Sequence, residues 1–375
     1  MKITEISTRR IRLSREAWFA PRPIPEAEVP YYEFPLTTLH TDEGIDGHTM
    51  DFGARGQGRG SAYLLHDVYY YDLVGQDPLN HEAIWQRMRM KKRHLYNMTE
   101  AIWSNIDVAL WDIKGKVAGL PIGVLLGKYR DRVPLYAACP PQTILNEEEV
   151  AREVKHKILQ GFSGVKLQLI GGAKRDIPLL RKAREVAGAE YPLMLDSSAV
   201  LSFEEALKIG HELDELKYEW FEEPFADRHI LQLKRLAQSI KTPILAGETV
   251  SLMELPQYLN EGAIDIVRGD VHIKSGITGL MKAIGMCEVM GFDLEIHTAA
   301  TPLLDVANLH AGCATRLSRF LESHHPMFQF GLKDNPLKLQ EDGCQHLPSG
   351  PGLGVDIDWD WIDDHTVEVI TGCDY

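Results

Sequence analysis

No run of about 18 apolar residues occurs in the chain, which excludes a membrane-spanning helix from its expected features. The opening residues, Met-Lys-Ile-Thr-Glu-Ile-Ser-Thr-Arg-Arg, alternate polar and apolar and lack the apolar core of a secretory signal. Basic charge is in short supply too: 40 Lys and Arg stand against 54 Asp and Glu, a net charge of −14. Such a surface disfavours nucleic acid and anionic membrane as partners. It does not bear on a small anionic substrate, which answers to the local field of its site. Cysteine is sparse and odd in number. Cys139, Cys287, Cys313, Cys344 and Cys373 are scattered without a CxxC pair, so reduced thiols in a cytoplasmic protein are expected. Asn97-Met98-Thr99 fits the glycosylation acceptor pattern and is read as chance in that compartment. The glycine-rich stretch 53–60 has neither dinucleotide nor P-loop spacing, so it carries no phosphate-binding expectation.

What is present is an ordinary globular composition, 25% charged and 44% hydrophobic, at a length that accommodates a full barrel plus a smaller domain. The first 130 residues alternate as strands over 2–13, 35–40 and 45–49 and then turn helical from Leu64 to Gly127, which reads as an α+β domain. From Arg132 the rhythm changes to short apolar runs spaced by amphipathic segments. Strands are expected near 133–138, 163–168, 192–196, 218–222, 243–247, 264–268, 292–296 and 319–322, with helices between most of them, such as 147–160 and 203–215. Eight such units in sequence specify a β/α barrel. Beyond about 330 the chain becomes Pro/Gly-rich coil, and 359–370 is expected to pack back on the first domain. The domain expectation is therefore 1–130, 131–330 and 331–375.

Three of the barrel runs share one pattern, an apolar stretch ending in an acid: Asp196, Glu222 and Glu248. The interval between the first two equals that between the last two. In a barrel, successive strand ends lie side by side on the face that carries the chemistry. One acid at a strand end is more often a helix cap than a ligand. Three at one level would repel and raise one another's pKa unless a cation sits among them. Oxygen-only ligands favour Mg²⁺ over zinc. The remaining strand ends add Lys166 and Gln168 on one face of strand two, Asp270 on strand six, His297 on strand seven and Glu322 on strand eight. A histidine beside an aspartate is a general-base candidate, because the carboxylate fixes the tautomer and stabilises the imidazolium.

With Lys-x-Gln, Asp196, Glu222, Glu248, Asp270, His297 and Glu322 in this order, the chain resembles the enolase superfamily, specifically its mandelate-racemase-like branch. Ala-Gly-Glu-Thr, Trp-Phe-Glu-Glu-Pro, Lys-Ser-Gly-Ile-Thr-Gly and Asp-Val-Ala-Leu-Trp-Asp-Ile-Lys-Gly-Lys fit that branch too. The resemblance implies an α/β fold, a modified TIM barrel of (β/α)7β type with an N-terminal α+β capping domain, assembled as a homo-oligomer. It implies one Mg²⁺ per subunit on Asp196, Glu222 and Glu248, a base dyad of His297 and Asp270, and Lys166 on the substrate carboxylate. A protonated Glu322 would then stabilise the developing ene-diolate. Loops at about 14–34 and 48–62 match the segments that cover the barrel mouth. In them Trp18, Arg22, Arg55 and Arg59 suggest a polar or anionic distal end of the substrate, and Gln168 is also assigned to substrate binding. Two-base members carry Lys-x-Lys on strand two. Gln168 cannot take a proton, so one-sided abstraction followed by loss of a β-hydroxyl is expected: dehydration of an aldonate or aldarate to a 2-keto-3-deoxy acid. The rival readings are a racemase, epimerase or cycloisomerase of a carboxylate and, from another class, a catalytically silent metal- or acid-binding protein.

Overall fold

The computed structural model describes residues 1–14, 31–52, 58–91, 100–324 and 329–372, apart from the side chain of Gln142. Trp18, Arg22 and Arg55, with most of the two expected loops, lie outside the described residues, as does Cys373. Among the described residues no helix is long and apolar enough to cross a membrane.

The chain opens with three antiparallel strands, β1 (Ile3–Ser14), β2 (Tyr31–Thr41) and β3 (Gly47–Met50). Tyr31 and Tyr32, read above as loop, belong to β2 because they pair with Ser14 and Leu13. Among the described residues four helices follow: α1 (Gly58–Leu73), α2 (His81–Lys91), α3 (Ala101–Ala118) and α4 (Ile122–Leu125). Residues 58–62, also read as loop, form the first turn of α1. Gly58 is there for close approach rather than freedom, since a Cβ on it would lie 2.4 Å from Pro35 Cδ. Arg59 lies in this helix with its guanidinium over the Tyr63 ring.

Eight parallel strands come next: β4 (Arg132–Cys139), β5 (Gly164–Gln168), β6 (Leu193–Asp196), β7 (Phe221–Glu222), β8 (Ile244–Ala246), β9 (Ile266–Gly269), β10 (Asp293–Ile296) and β11 (Leu321–Ser323). Each pairs with its predecessor, and β11 closes the cylinder on β4 through Leu321–Leu135, Glu322–Tyr136 and Ser323–Ala137. Seven helices link the eight strands: α5 (Glu147–Leu159), α6 (Ala173–Ala187), α7 (Phe203–Leu216), α8 (Ile230–Ala237), α9 (Leu255–Glu261), α10 (Gly276–Met290) and α11 (Pro302–Cys313). This is the (β/α)7β form of the TIM barrel, capped by an N-terminal antiparallel sheet. Local chemistry starts the helices where the sequence says. Ser202 and Glu205 make a reciprocal capping box at α7, and the Asn146 side chain accepts from Glu149 N at α5. The barrel is filled by side chains: Tyr136, Met194, Trp220, Leu245 and Ile266 form a buried layer below the mouth.

The chain ends by returning to its start. After β12 (Cys344–His346) and α12 (Trp359–His365), strand β13 (Thr366–Thr371) pairs antiparallel with β1. The seam between cap and barrel is built on α3 and is polar. Asp107 accepts from Thr278 N and Oγ1, at 2.9 and 2.7 Å. Trp111 Nε1 donates to the same Thr278 hydroxyl, and Trp85 Nε1 to Ser275 O. Gly276, at φ +82°, lets α10 begin against Asp107, because a Cβ would lie 2.3 Å from its Oδ2. The buried Asp112 takes His48 N, Leu353 N and the Lys116 ammonium.

Candidate active site

Parallel register sets the strand ends at one level. Gln168 stands beside Asp196, and Asp196 beside Glu222. Glu248 lies two residues past β8, Asp270 directly follows β9, His297 directly follows β10, and Glu322 is inside β11. With Lys166, two residues before Gln168 on β5, all eight residues expected at the mouth from strand position are therefore brought together.

Lys166 is buried at their centre. Its ammonium lies 2.8 Å from Glu322 Oε1, 3.1 Å from Glu222 Oε2 and 3.8 Å from Asp196 Oδ2. Burial alone would lower its pKa, but Glu222 and Glu322 overrule that and hold it well above the usual lysine range. Lys166 is thus a fixed positive charge. Arg268, on β9 two residues before Asp270, is a second one and fully buried. Its Nε lies 2.9 Å from Glu222 Oε1, and its Nη2 donates to Glu322 Oε2 and to the Tyr136 hydroxyl. Glu322 feels both cations. Burial would raise its carboxyl, yet Lys166, Arg268 and His324 keep it well below the usual range. The Glu322 expected from sequence to be protonated thus faces two cations, a setting that favours its ionised form. The unforeseen Arg268 and the closeness of Lys166 leave it an ion-paired carboxylate.

His297 and Asp270 meet as a dyad. The His297 Nδ1–H donates to Asp270 Oδ2 at 2.9 Å, with the tautomer assigned from the carboxylate partner. Asp270 Oδ1 is held in turn by the backbone N–H groups of His272 and Ile273. The other ring nitrogen, Nε2, faces the cluster, 3.8 Å from Glu248 Oε2 and 3.7 Å from Glu322 Oε2. Burial lowers the imidazole pKa, but Glu248, Asp270 and Glu322 together raise it to about 9.

The acids on the other side of the mouth crowd one another. Asp196 is raised to about 6, first by burial and then by Glu222. Glu223, which the sequence reading passed over, sits at φ 42° and is raised to about 9 by burial, then by Glu248, Asp227, Glu222 and Asp196. These shifts mark a concentration of negative charge that a hard divalent cation would relieve, and every donor is an oxygen. The acids are neighbours without being a finished cage. Among the described residues no three His, Cys, Asp or Glu side chains already converge as metal ligands, because Glu222 is drawn to Lys166 and Arg268. Lys274 shapes this side from behind. It is wholly buried, and its ammonium donates to the carbonyls of Gly247, Glu248 and Val250, fixing the turn that presents Glu248. Gln168 donates to Ser198 Oγ at 2.7 Å and reaches Asp196 Oδ2 at 3.5 Å. It is a neighbour of the acids and carries no titrating proton.

Arg268, Glu223, Lys274 and His324 were not singled out from sequence. For two of them a signal existed: Arg268 alternates with Asp270, and His324 with Glu322, so each shares the inward face of its strand.

Comparison with known proteins follows the same division into cap and barrel. Residues 11–127 match the mandelate racemase / muconate lactonizing enzyme N-terminal domain, and residues 149–361 match the enolase C-terminal domain-like family. The arabinonate dehydratase of Saccharolobus solfataricus is 31% identical, over 87% of this chain and 88% of its own. The D-galactarolactone cycloisomerase of Agrobacterium fabrum is 28% identical, over 87% of this chain and 89% of its own. The crystal structure of D-glucarate dehydratase from Agrobacterium tumefaciens complexed with magnesium superimposes with a TM-score of 0.85, at 26% identity, over 98% of this chain and 100% of that one. With cap and barrel both matched, and the strand-end acids and dyad standing at the barrel mouth, the chain belongs to the enolase superfamily, in the branch that includes mandelate racemase and muconate lactonizing enzyme.

Proposed function

We propose that the protein is a Mg²⁺-dependent dehydratase of an acid sugar, an aldonate or aldarate, yielding a 2-keto-3-deoxy acid. The observation that carries this reading is the one-sidedness of the site. His297 is the base, oriented by Asp270, and the position across the mouth is Gln168, which can neither take nor give a proton. Racemisation through two opposed bases has no second base here. The relatives named above include a dehydratase of a related acid, which fits the same chemistry.

Asp196, Glu222 and Glu248 would hold the cation, with Lys166 and Arg268 releasing Glu222 to it. Bound there, Mg²⁺ would supply positive charge to the substrate carboxylate. The residues of the chain do the rest. Lys166 offers a permanent ammonium to the same carboxylate, in a buried setting where such a charge acts strongly on developing negative charge. Once the charge of Glu248 and its neighbours, which raises His297 to about 9, is offset, His297 Nε2 is free to accept the proton from the carbon next to the carboxylate, and Asp270 stabilises the imidazolium that forms. Glu322 acts by holding Lys166 and Arg268 in place. A site with the base on the histidine side alone favours R configuration at C2, by analogy within the family.

The test is a screen of mono- and diacid sugars with purified protein and Mg²⁺, read by 2-keto-acid formation and repeated in D₂O. A keto product from one stereochemical series is expected. Deuterium entering the α-carbon without a keto product would replace dehydration by epimerisation or cycloisomerisation. The absence of both signals would sink the reading.

A further inference from the structure

Dehydration needs two proton events: one leaves the α-carbon, and one must reach the β-hydroxyl so that it departs as water rather than hydroxide. His297 serves the first and, protonated by it, is one candidate for the second. The sequence holds Ser197 and Ser198 after Asp196 and so offers no donor there. Lys166 is shared between Glu222 and Glu322.

Strand β11 supplies another group. His324 follows it directly, two residues past Glu322 and so on the same inward face. Its Nε2 lies 3.3 Å from Glu322 Oε1, while His297 Nε2 lies 3.7 Å from Oε2 of the same carboxylate. Two imidazoles therefore flank one acid. Both also wall one cavity of about 20 Å³, together with Glu322, Asp305, Asn308 and Gln329. That volume holds about one water, and its lining is polar. Among the described residues His297 and His324 are the only imidazoles on its wall. The His324 side chain keeps 23% of its surface exposed, so it can exchange its proton with solvent between turnovers.

We infer that His324 is a catalytic residue, the general acid that protonates the departing β-hydroxyl. The inference rests on the dehydratase reading above. The α-C–H bond breaks and its proton goes to His297 Nε2, leaving the electron pair on the ene-diolate. That pair forms the C2–C3 double bond as the C3–O bond breaks, and the oxygen takes the proton of His324 Nε2 to leave as water. The enol then becomes the 2-keto acid: C3 takes the proton from His297, and the enol hydroxyl gives its proton back to His324 or to solvent. Protons balance over the cycle and no redox partner is needed. Glu322 holds both rings in register. Since β10 and β11 are adjacent strands, α-proton and hydroxyl leave from the same face, a syn elimination.

The test uses the Mg²⁺-loaded enzyme and the acid sugar found in the screen. His324→Gln should lower 2-keto-acid formation by roughly 10²- to 10⁴-fold, the usual range for a lost general acid. α-Proton exchange in D₂O should stay within a few-fold of wild type, which also reports that the variant is folded. His324→Asn should behave alike. The analogue with fluorine in place of the β-hydroxyl needs no protonation, so its fluoride release should be nearly equal in variant and wild type. Unchanged dehydration in His324→Gln overturns the assignment. So do exchange and dehydration falling together, or fluoride release falling as far as water loss, since a residue that merely positions Glu322 would slow all three. Absence of any keto acid from the wild-type enzyme instead overturns the dehydratase reading, and this assignment with it.

Discussion

Two places in this molecule bury several carboxylates, and they stabilise them in opposite ways. At the seam between cap and barrel each acid has its own fixed donors. Asp107 takes both donors of Thr278, Asp112 takes two backbone N–H groups and Lys116, and Glu100 takes the Ser275 hydroxyl. At the barrel mouth the donors are shared: the single Lys166 ammonium lies within 4 Å of Asp196, Glu222 and Glu322, and Arg268 divides between the last two. A satisfied acid specifies how two surfaces dock. An unsatisfied cluster is raised in energy until something positive arrives, and it shifts the pKa of whatever sits beside it. His297 at about 9 and the buried His310 at about 4 show the contrast in one residue type. Burial outweighs the Leu353 carbonyl and the charge of Asp112 at His310, whereas His297 meets burial plus three carboxylates.

The largest break in this comparison comes from removing the charged partner that gives the mouth its direction. Asp270→Asn keeps the shape but no longer fixes Nδ1–H as the donor or stabilises the imidazolium. Turnover should fall by roughly 10⁴-fold, the scale seen when a dyad carboxylate is neutralised. His297→Asn should abolish turnover. In both variants Mg²⁺ binding, followed by calorimetry, should persist. Surviving activity in His297→Asn would remove the dyad from the chemistry.

A smaller effect is expected behind the acids. Lys274 touches no substrate, but three carbonyls of the turn carrying Glu248 depend on it. Lys274→Met should weaken Mg²⁺ binding by about 10- to 100-fold, the range for lost support behind a ligand, and should lower activity at limiting but not at saturating Mg²⁺. A loss that saturating metal does not restore would mean the turn has collapsed rather than loosened.

The same contrast explains what could be read from the chain. An apolar run ending in an acid is a local pattern, so Asp196, Glu222 and Glu248 were visible with the barrel that carries them. His297 and Asp270 followed once strand ends were compared. Alternation with Asp270 puts Arg268 on the inward face, but a charge inside Ile-Val-Arg-Gly-Asp gives no hint of its full burial or its role, because its partners Glu222, Glu322 and Tyr136 come from three other strands. The ionised state of Glu322 was hidden for the same reason. Gly58 misled in the other direction, since glycine demanded by a close approach looks in sequence like glycine in a loop. What escaped was set by tertiary neighbours, and what was caught was set by period.

The smallest effect lies at the seam, and it sharpens the comparison because it should leave the chemistry alone. Burial pushes Asp107 up to about 7 despite its two hydrogen bonds to Thr278. Its carboxyl therefore binds a proton in the folded chain over the window from about 3.8 to about 7, where the unfolded chain has released it. Stability tied to this group is present at the acid end and is lost as pH rises through that window, because the folded state binds more protons there. Asp107→Asn removes the titration. The amide oxygen still accepts from Thr278, but the NH₂ cannot accept a second bond as the hydroxyl oxygen of the protonated acid can, a cost of about 1 kcal/mol, or about 2 °C in Tm at acid pH. The gap between variant and wild type should narrow as pH climbs toward 7. Activity at saturating Mg²⁺ should not change, since neither Asp107 nor Thr278 reaches the mouth. If it fell along with Tm, the docking of the cap would be part of what holds the dyad in line, and the two ways of burying acids would not be separable.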